Sequence, residues 1–579
     1  MRFKTIKIKN YRMLDGVTVY FDSTVNFIVG RNNVGKSSFL KLLETISLGR
    51  SFSEYDFNDR DNPIEIEAVL SLSEIEKGMF EDYFSPENNN EFKITLTQES
   101  IFDDVEIRHS ESQEMIKNSW IRKVNYLVYD STRKPVNKED YSRRSNNFNI
   151  VPFLVDRYYE VSETGTPLVN DDDLGQLLSF VNESLEKVDT IKANDLLLSI
   201  NMSNPIELVK KVVTMQDDKG NDIGIMGHGI QFVNMVPMSI LNELIRLYKR
   251  EKIFSQRVQI DEHGKKYIEY VMGIDEPEIH LHPHLQRRLI RYVMKIFSGE
   301  DKDFNNLVKS LFDLDYIIGQ LIIITHSPLM LSNDYKQIVR MYNNEGMINA
   351  ISGSEVIIDE NLQKHLEKCL NELKNAYFSK VIIFVEGDSE ISSLREMASR
   401  EGIDLDKEEI EILSAGSVTT VPLLAKLFNQ FGIKNVSIID KDDANDSNPI
   451  YTNVENIFIT DERDFEYEMF KEMTLVKFLE YIEELNFNNP NAANFILKFL
   501  DKEMKEKIDL SQRPLSSELE KLTLEDLDVI RSRAVEDCIG LMKGNKSVLN
   551  GKLISEYITK SPDVYKSALD RARCLAGGQ

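Results

Sequence analysis

The chain has 579 residues, 41% hydrophobic and 29% charged, with a formal net charge of −26 and three cysteines. The length suits two to four domains and the composition a soluble globular protein; the charge excludes a protein coated in basic surface. Cys369, Cys538 and Cys574 are too scattered for a metal knuckle or a disulfide framework, and no run of about 18 apolar residues reads as a membrane span. The first seven residues alternate like a strand and lack the apolar region of a signal peptide, so a cytoplasmic protein is expected. Local basic patches and bound divalent ions still permit contact with phosphates.

Strands are expected over Phe3–Ile8, Val17–Phe21 and Val25–Val29. The last runs into Gly30-Arg31-Asn32-Asn33-Val34-Gly35-Lys36-Ser37-Ser38, the G-x-x-x-x-G-K-S pattern of a P-loop. From Lys36 onward, Phe39, Leu40, Leu42, Leu43 and Ile46 form the apolar side of a helix. Strand, glycine-rich turn and helix put backbone N–H groups and a helix N-terminus around a phosphate. Lys36 is expected to reach the β- and γ-phosphates of ATP, and the Ser37 hydroxyl to hold Mg²⁺. Ile64–Leu70 and Phe92–Thr97 alternate as half-exposed antiparallel strands, with Val105–Arg108 as another. Antiparallel strands after the P-loop helix suit an ATP-binding-cassette-type ATPase better than a simple doubly wound kinase. The stretch 131–150, with Arg133, Lys134, Lys138, Arg143 and Arg144, reads as a solvated loop. Residues 170–215 read as helical, with Leu177, Leu178, Phe180, Val181 and Leu185 at helical spacing, an inserted arm.

Met226–Gln231, with Gly227 and Gly229, precedes an apolar helical run from Phe232 to Leu247 and makes a second anion-ready helix N-terminus. The apolar strand Tyr270–Ile274 ends in Asp275-Glu276. Asp275 is placed to bind Mg²⁺ as a Walker B acid, and Glu276 to polarise the attacking water. Adjacent acids ending a buried strand are costly unless a metal or phosphate site uses them. His280, His282 and His284 alternate, but Pro283 interrupts them and no cysteine completes a zinc site. Leu321–Ile324 is a further buried strand, ending at Thr325-His326, with His326 placed to sense a γ-phosphate.

In the second half, Lys380–Val385 leads into Glu386-Gly387-Asp388-Ser389-Glu390. Glu386 and Glu390 are four apart and share a helix face if the helix begins there. Ile410–Leu413 is a strand, Ala415-Gly416-Ser417 a turn and Val421–Phe431 a helix. Val436–Ile439 is a third strand and ends in Asp440-Lys441-Asp442-Asp443, where Asp440 and Asp442 can point the same way from an extended end. This is a parallel βαβαβ unit with carboxylates at strand C-termini, where open α/β sheets place their sites. Carboxylates without Cys or His suit Mg²⁺ or Mn²⁺.

The order Gly30–Ser37, Gly227–Gln231, Asp275-Glu276, Thr325-His326 resembles the ATP-binding-cassette ATPases, in the branch shared with DNA-repair and chromosome-structural ATPases. That resemblance implies two heads sandwiching ATP, with the Gly229 loop of one capping the nucleotide of the other. Gly227-His228-Gly229-Ile230-Gln231 departs here from the common Leu-Ser-Gly-Gly-Gln. Glu-Gly-x-Ser-Glu followed by Asp-x-Asp resembles the Toprim domain of topoisomerases, primases and some nucleases. An ATPase of this kind followed by a Toprim domain is similar to the OLD (overcoming lysogenization defect) family over nearly the whole chain.

The resemblance implies an α/β protein: a P-loop ATPase head at 1–150 and 213–350, a helical dimerisation arm inserted at 151–212, and a Toprim domain with a parallel sheet at 351–579. It implies a metal-dependent endonuclease acting on double-stranded DNA, regulated by ATP, in bacterial defence against phage. Asp464-Phe465-Glu466 matches a later acidic segment of the family, with Phe for Leu. Glu386, Glu390, Asp440, Asp442, Asp464 and Glu466 would then hold two Mg²⁺ ions, Mn²⁺ substituting. Lys546 looks like the family's late catalytic lysine, with Lys552 as a rival and Lys543 still open. A homodimer or homotetramer is implied; Gabija-type members also pair with a helicase-like partner, and in them nucleotide inhibits cleavage. The competing reading is a DNA-repair-type ATPase clamp whose Toprim domain binds DNA without cutting. A topoisomerase or primase is disfavoured, since neither a DNA-gate region around a catalytic tyrosine nor a zinc ribbon is identifiable.

Overall fold

A computed structural model describes residues 1–77, 90–117, 121, 124–129, 150, 153–154, 157, 171–200, 213–217, 219–220, 228–279, 281–358, 373–441, 455–485, 492–512, 514–544 and 548–577. They fall in two units, Met1–Glu355 and Val356–Gln579. In the first unit, β1 (Arg2–Lys9) and β2 (Thr18–Tyr20) join β4 (Ile64–Ser71), β5 (Glu91–Gln98) and β6 (Glu106–His109) in an antiparallel sheet ordered β2-β1-β4-β5-β6. Along β4 and β5 buried positions alternate with more open ones, as the Ile-Glu-Ile-Glu pattern demands of a sheet with one covered face.

A second, mainly parallel sheet centres on β3 (Val25–Val29), which lies between β12 (Tyr316–Ile324) and β13 (Ile338–Asn344). Beyond β12 comes β11 (Lys266–Asp275), paired in turn with β7 (Tyr126–Tyr129) and the short antiparallel β10 (Gln259–Ile260). β14 (Met347–Ser352) runs antiparallel to β13. β3, β11 and β12 are buried along most of their length, which is why they read as unbroken apolar runs. Ile28 pairs with Ile324 and Ile324 with Asp275, so the C-terminal ends of the three strands stand side by side, the place where open α/β sheets bind ligands.

Two expectations change here. Helix occupies Asp171–Leu185 and Asp189–Lys192, but β8 (Leu196–Ile200) and β9 (Val213–Asp217) then pair antiparallel. Leu196-Leu197-Leu198 is a short apolar run, whose periodicity cannot separate strand from helix. The helix expected from Phe232 already begins at His228 and runs to Tyr248, which puts Gly229 in its first turn. First-turn N–H groups have no intrahelical acceptor in any helix, so glycine is tolerated there. Met226, Gly227, the basic stretch from Arg133 to Arg144 and much of the expected arm lie outside the described residues.

The second unit carries a parallel sheet ordered β16-β15-β17-β18, made of β15 (Val381–Val385), β16 (Ile410–Ser414), β17 (Lys434–Ile439) and β18 (Ile457–Ile459). Helices Asp388–Arg400 and Val421–Gln430 make the crossovers. The core runs from Val381, Ile383 and Val385 through Leu394 and Met397 to Ile554, Tyr565 and Leu569 of the last helices. Helix Val548–Tyr557 lies so close on helix Asp388–Arg400 that a Cβ at Gly551 would stand 2.0 Å from the Ser389 carbonyl oxygen. Ser393 Oγ donates to the Gly551 carbonyl at 2.6 Å across this contact. Among the described residues no helix is long and apolar enough to cross a membrane.

Candidate functional site

After β3 the chain turns through Gly30 and Gly35, at φ +146° and +85°, and the helix Lys36–Leu48 begins. A Cβ at Gly30 would lie 2.1 Å from the Met341 carbonyl oxygen, so both conformation and space demand glycine. Arg31, Asn32, Asn33 and Ser37 are exposed, Val34 is buried, and Ser38 is half-buried. Lys36 is buried, and its Nζ donates to the carbonyls of Gly30 (2.8 Å) and Arg31 (2.7 Å). Burial pulls its pKa down to about 8, against the raising pull of Glu276, Asp275 and Glu278.

Those acids close β11. Asp275 is buried, while Glu276 leaves the strand at φ +46° with its N–H donating to the Ile324 carbonyl at 3.0 Å. The His326 ring stands 3.4 Å from the Glu276 carboxylate. Burial first and Lys36 second lower the imidazole pKa, with Glu276 opposing them. At neutral pH this is therefore a neutral ring beside a carboxylate rather than an ion pair. The loops are tied twice more: the His326 N–H donates to Glu278 Oε1, and Ser327 Oγ to Gln286 Oε1 at 2.6 Å. The structure thus brings Lys36, Asp275, Glu276 and His326 to one end of the sheet, whereas no described hydrogen bond links Gly229 to the P-loop. His282 and His284 stack their rings at 5.6 Å, and His280 lies outside the described residues.

In the second unit Glu386 and Glu390 do not share a helix face. The helix starts at Asp388, so Glu386 ends β15, while Glu390 in the first turn accepts the Gly387 N–H at 2.8 Å. The glycine at 387 has no side chain to accept a first-turn N–H, so only the back-reaching half of a capping box is made, by Glu390 on the Gly387 N–H. Glu386 Oε1 accepts the Asp440 N–H at 3.0 Å, joining the ends of β15 and β17. Asp464 caps the helix Phe465–Lys471, accepting the Tyr467 N–H at 3.2 Å, and binds Lys543 Nζ. Glu386, Glu390, Asp440 and Glu466 line one open cavity of about 290 Å³ with Gly416 and Phe465. Asp442 and Lys546 lie outside the described residues. Lys552 is exposed and stands 4.0 Å from Glu556; Lys543 alone of the three lysines is described at the acids.

Burial pushes the Glu390 carboxyl up to about 8, with the charges of Glu386 and Glu466 adding to it. Burial, then Glu390 and Glu386, carry Asp440 to about 9. Among the described residues no three such groups already stand in ion-ligating geometry. The donor set still fits a hard divalent cation. Among the described residues Glu390 Oε1 and Asp440 Oδ1 are buried without a hydrogen-bond partner, and a positive ion would relieve both the burial and the repulsion.

Four residues escaped the motif reading. Arg12 donates to Ser38 Oγ at 3.1 Å and pairs with Asp56 at 2.8 Å. Glu278 and Gln286 hold the His326 loop, and Gly551 sets the approach of two helices. Only Glu278, the third acid of Asp275-Glu276-Pro277-Glu278, offered a signal for any of them.

The profile of the AAA ATPase domain family matches residues 1–193 and 169–331, more than half of the chain. The TOPRIM-domain profile of overcoming lysogenization defect-like proteins matches residues 377–442. A P-loop head followed by a Toprim unit defines the class: an ATP-dependent nuclease. The chain is 23% identical over 495 residues to the Old nuclease of Escherichia phage P2, covering 76% of this chain and 77% of that protein. It is 23% identical over 363 residues to endonuclease GajA of Bacillus cereus (strain HuB5-5), covering 57% of this chain and 47% of that one, less than half its length. The solved C-terminal region of the Burkholderia pseudomallei OLD protein is similar over 34% of this chain and 99% of that one, at 18% identity and a TM-score of 0.22. The chain belongs to the AAA ATPase domain family, and its Toprim match together with its similarity to the Old nuclease supports an ATPase–nuclease of the OLD type.

Proposed function

We propose that this chain is a metal-dependent endonuclease that nicks or cleaves double-stranded DNA under the control of its ATPase unit, in cytoplasmic antiphage defence. The observation that supports this is the joint lining of one cavity by Glu386, Glu390, Asp440 and Glu466 at the ends of parallel strands. These acids, with Asp464 and Asp442, would hold Mg²⁺ or Mn²⁺. A bound ion supplies Lewis acidity toward water and phosphate. Hydrolysis adds a water oxygen to phosphorus and breaks the P–O3′ bond, and the 3′ oxygen gains a proton, leaving a 3′-hydroxyl and a 5′-phosphate. Lys543, held by Asp464, brings a cation to the rim of the acids; Lys546, three residues on, is the proposed catalytic lysine.

In the ATPase unit, Lys36 Nζ exchanges the Gly30 and Arg31 carbonyls for phosphate oxygens, with the 30–38 turn wrapping the phosphates. Ser37 and Asp275 would hold Mg²⁺, Glu276 takes the proton of the attacking water, and His326 donates toward the γ-phosphate. Gly229 of a second copy would cap the nucleotide in a homodimer or homotetramer, and a helicase-like protein is the proposed further partner.

The test is a supercoiled plasmid incubated with Mg²⁺ across an ATP titration. Nicked or linear products are expected, and Glu386→Ala reduces them to background. Relaxed closed circles would make the protein a topoisomerase. Binding without cutting would make it a clamp.

A further inference from the structure

We infer that Tyr565 is a positioning residue for the Toprim acids, donating its hydroxyl to Asp440 or Glu390 when a divalent cation is held there; the inference rests on the metal-dependent reading above. Tyr565 lies in the first turn of the helix Asp563–Ala576, which packs on β15 and β17, the strands that lead into Glu386 and Asp440. Its side chain is 0% exposed, and among the described residues its hydroxyl has no hydrogen-bond partner. Among the acids that line the cavity, Glu390 Oε1 and Asp440 Oδ1 share that condition among the described residues. The phenol is within electrostatic reach of both, and more weakly of Glu468 and Glu466. Its ring packs edge-on against Phe465 at 6.2 Å, and Phe465 lines the cavity.

A buried orphaned donor, on a helix packed against the strands that lead to two orphaned acceptors, is an unusual arrangement, since each atom has given up water without gaining a partner. The three satisfy one another when a carboxyl oxygen turns toward the phenol, and a divalent cation held by the acids would fix them in one orientation. Carboxylates that hold metals are regularly fixed from behind by such donors. Tyr481 provides the contrast. It is also buried within reach of Glu466, but its hydroxyl already donates to Asn550 Oδ1.

Tyr565→Phe in the full chain removes the hydroxyl and keeps the ring. Mn²⁺ binding is read by electron paramagnetic resonance of the free ion, alongside melting of the metal-free protein. The expected result is an unchanged or higher melting temperature with Mn²⁺ affinity about tenfold weaker. Plasmid nicking by the variant should recover when Mn²⁺ is raised by about the same factor. Equal Mn²⁺ affinity in the variant and the wild type would overturn the inference. So would a variant that melts far below the wild type, since the hydroxyl would then be holding the fold. A wild type that binds no Mn²⁺ would instead sink the metal-dependent reading itself.

Discussion

Glu276 sits at φ +46°, a conformation glutamate seldom adopts, at a cost on the order of 1–3 kcal/mol. Such strain persists where surrounding contacts over-determine it. Here the N–H bond to the Ile324 carbonyl and the contact with His326 aim the carboxylate away from the strand it ends. Glu276→Gln should keep nucleotide binding and lower ATP turnover by about 10²- to 10⁴-fold, the usual share of a general base. A turnover assay beside a fluorescent-nucleotide titration separates the two. Asp275-Glu276 was readable because two acids closing an apolar run have few structural uses. Glu278 was not, because its work is a backbone contact 48 residues on, which no local pattern records.

The Toprim acids carry a pH signature. Glu390 and Asp440 titrate near 8 and 9 in the metal-free fold, far above their ordinary range. The folded state then holds protons that the unfolded chain has released, so the stability these two groups contribute is greatest below about pH 4 and is lost as pH rises toward 9. Metal-free protein should therefore melt progressively lower between pH 5 and 9. Glu390→Gln combined with Asp440→Asn should flatten that slope, and an unaltered slope would reassign the effect to other groups.

At the scale of elements, the Toprim cavity depends on two packed helices, Asp388–Arg400 and Val548–Tyr557. Gly551→Val forces side-chain atoms into the Ser389 carbonyl and the Ser392 hydroxyl, at 2.0 and 2.4 Å from a Cβ. Overpacking of this kind costs about 1–3 kcal/mol. The variant should melt lower and lose nicking activity together, because the displaced partner helix carries Glu390 in its first turn. Calorimetry and the plasmid assay check the two halves. The parallel strands were legible from runs such as Val381–Val385 and Leu321–Ile324, since burial on both faces leaves no polar interruptions. β8 was not, because Leu196–Ile200 satisfies either period. The Lys543–Asp464 pair joins residues 79 apart, and a preference for Lys546 over its neighbour rested on the string alone.

At the scale of the molecule, each unit has its own core. The cluster around Val381 and Phe478 draws only on residues 381–572, and the one around Phe3 and Phe39 only on residues 1–348. A fragment comprising Val356–Gln579 should therefore unfold in one cooperative transition and bind Mn²⁺ without the head. Lys36→Ala in the full chain should lose ATP binding and, with it, any response of plasmid cutting to ATP. If the isolated fragment cut only when ATP was present, the proposed division of labour would be wrong.

The sites of the two units differ in when they can exist. The P-loop end of the sheet needs residues 25–341, whereas the acids at 386–466 are backed by Lys543, Gly551 and the helix Asp563–Ala576. Chains fold from the N-terminus as they leave the ribosome. Under the proposed function, the head would bind nucleotide while the Toprim acids are still unassembled, and a chain interrupted before its last helices lacks the groups that back those acids. Under that proposal the capacity to cut would be the last property the growing chain acquires.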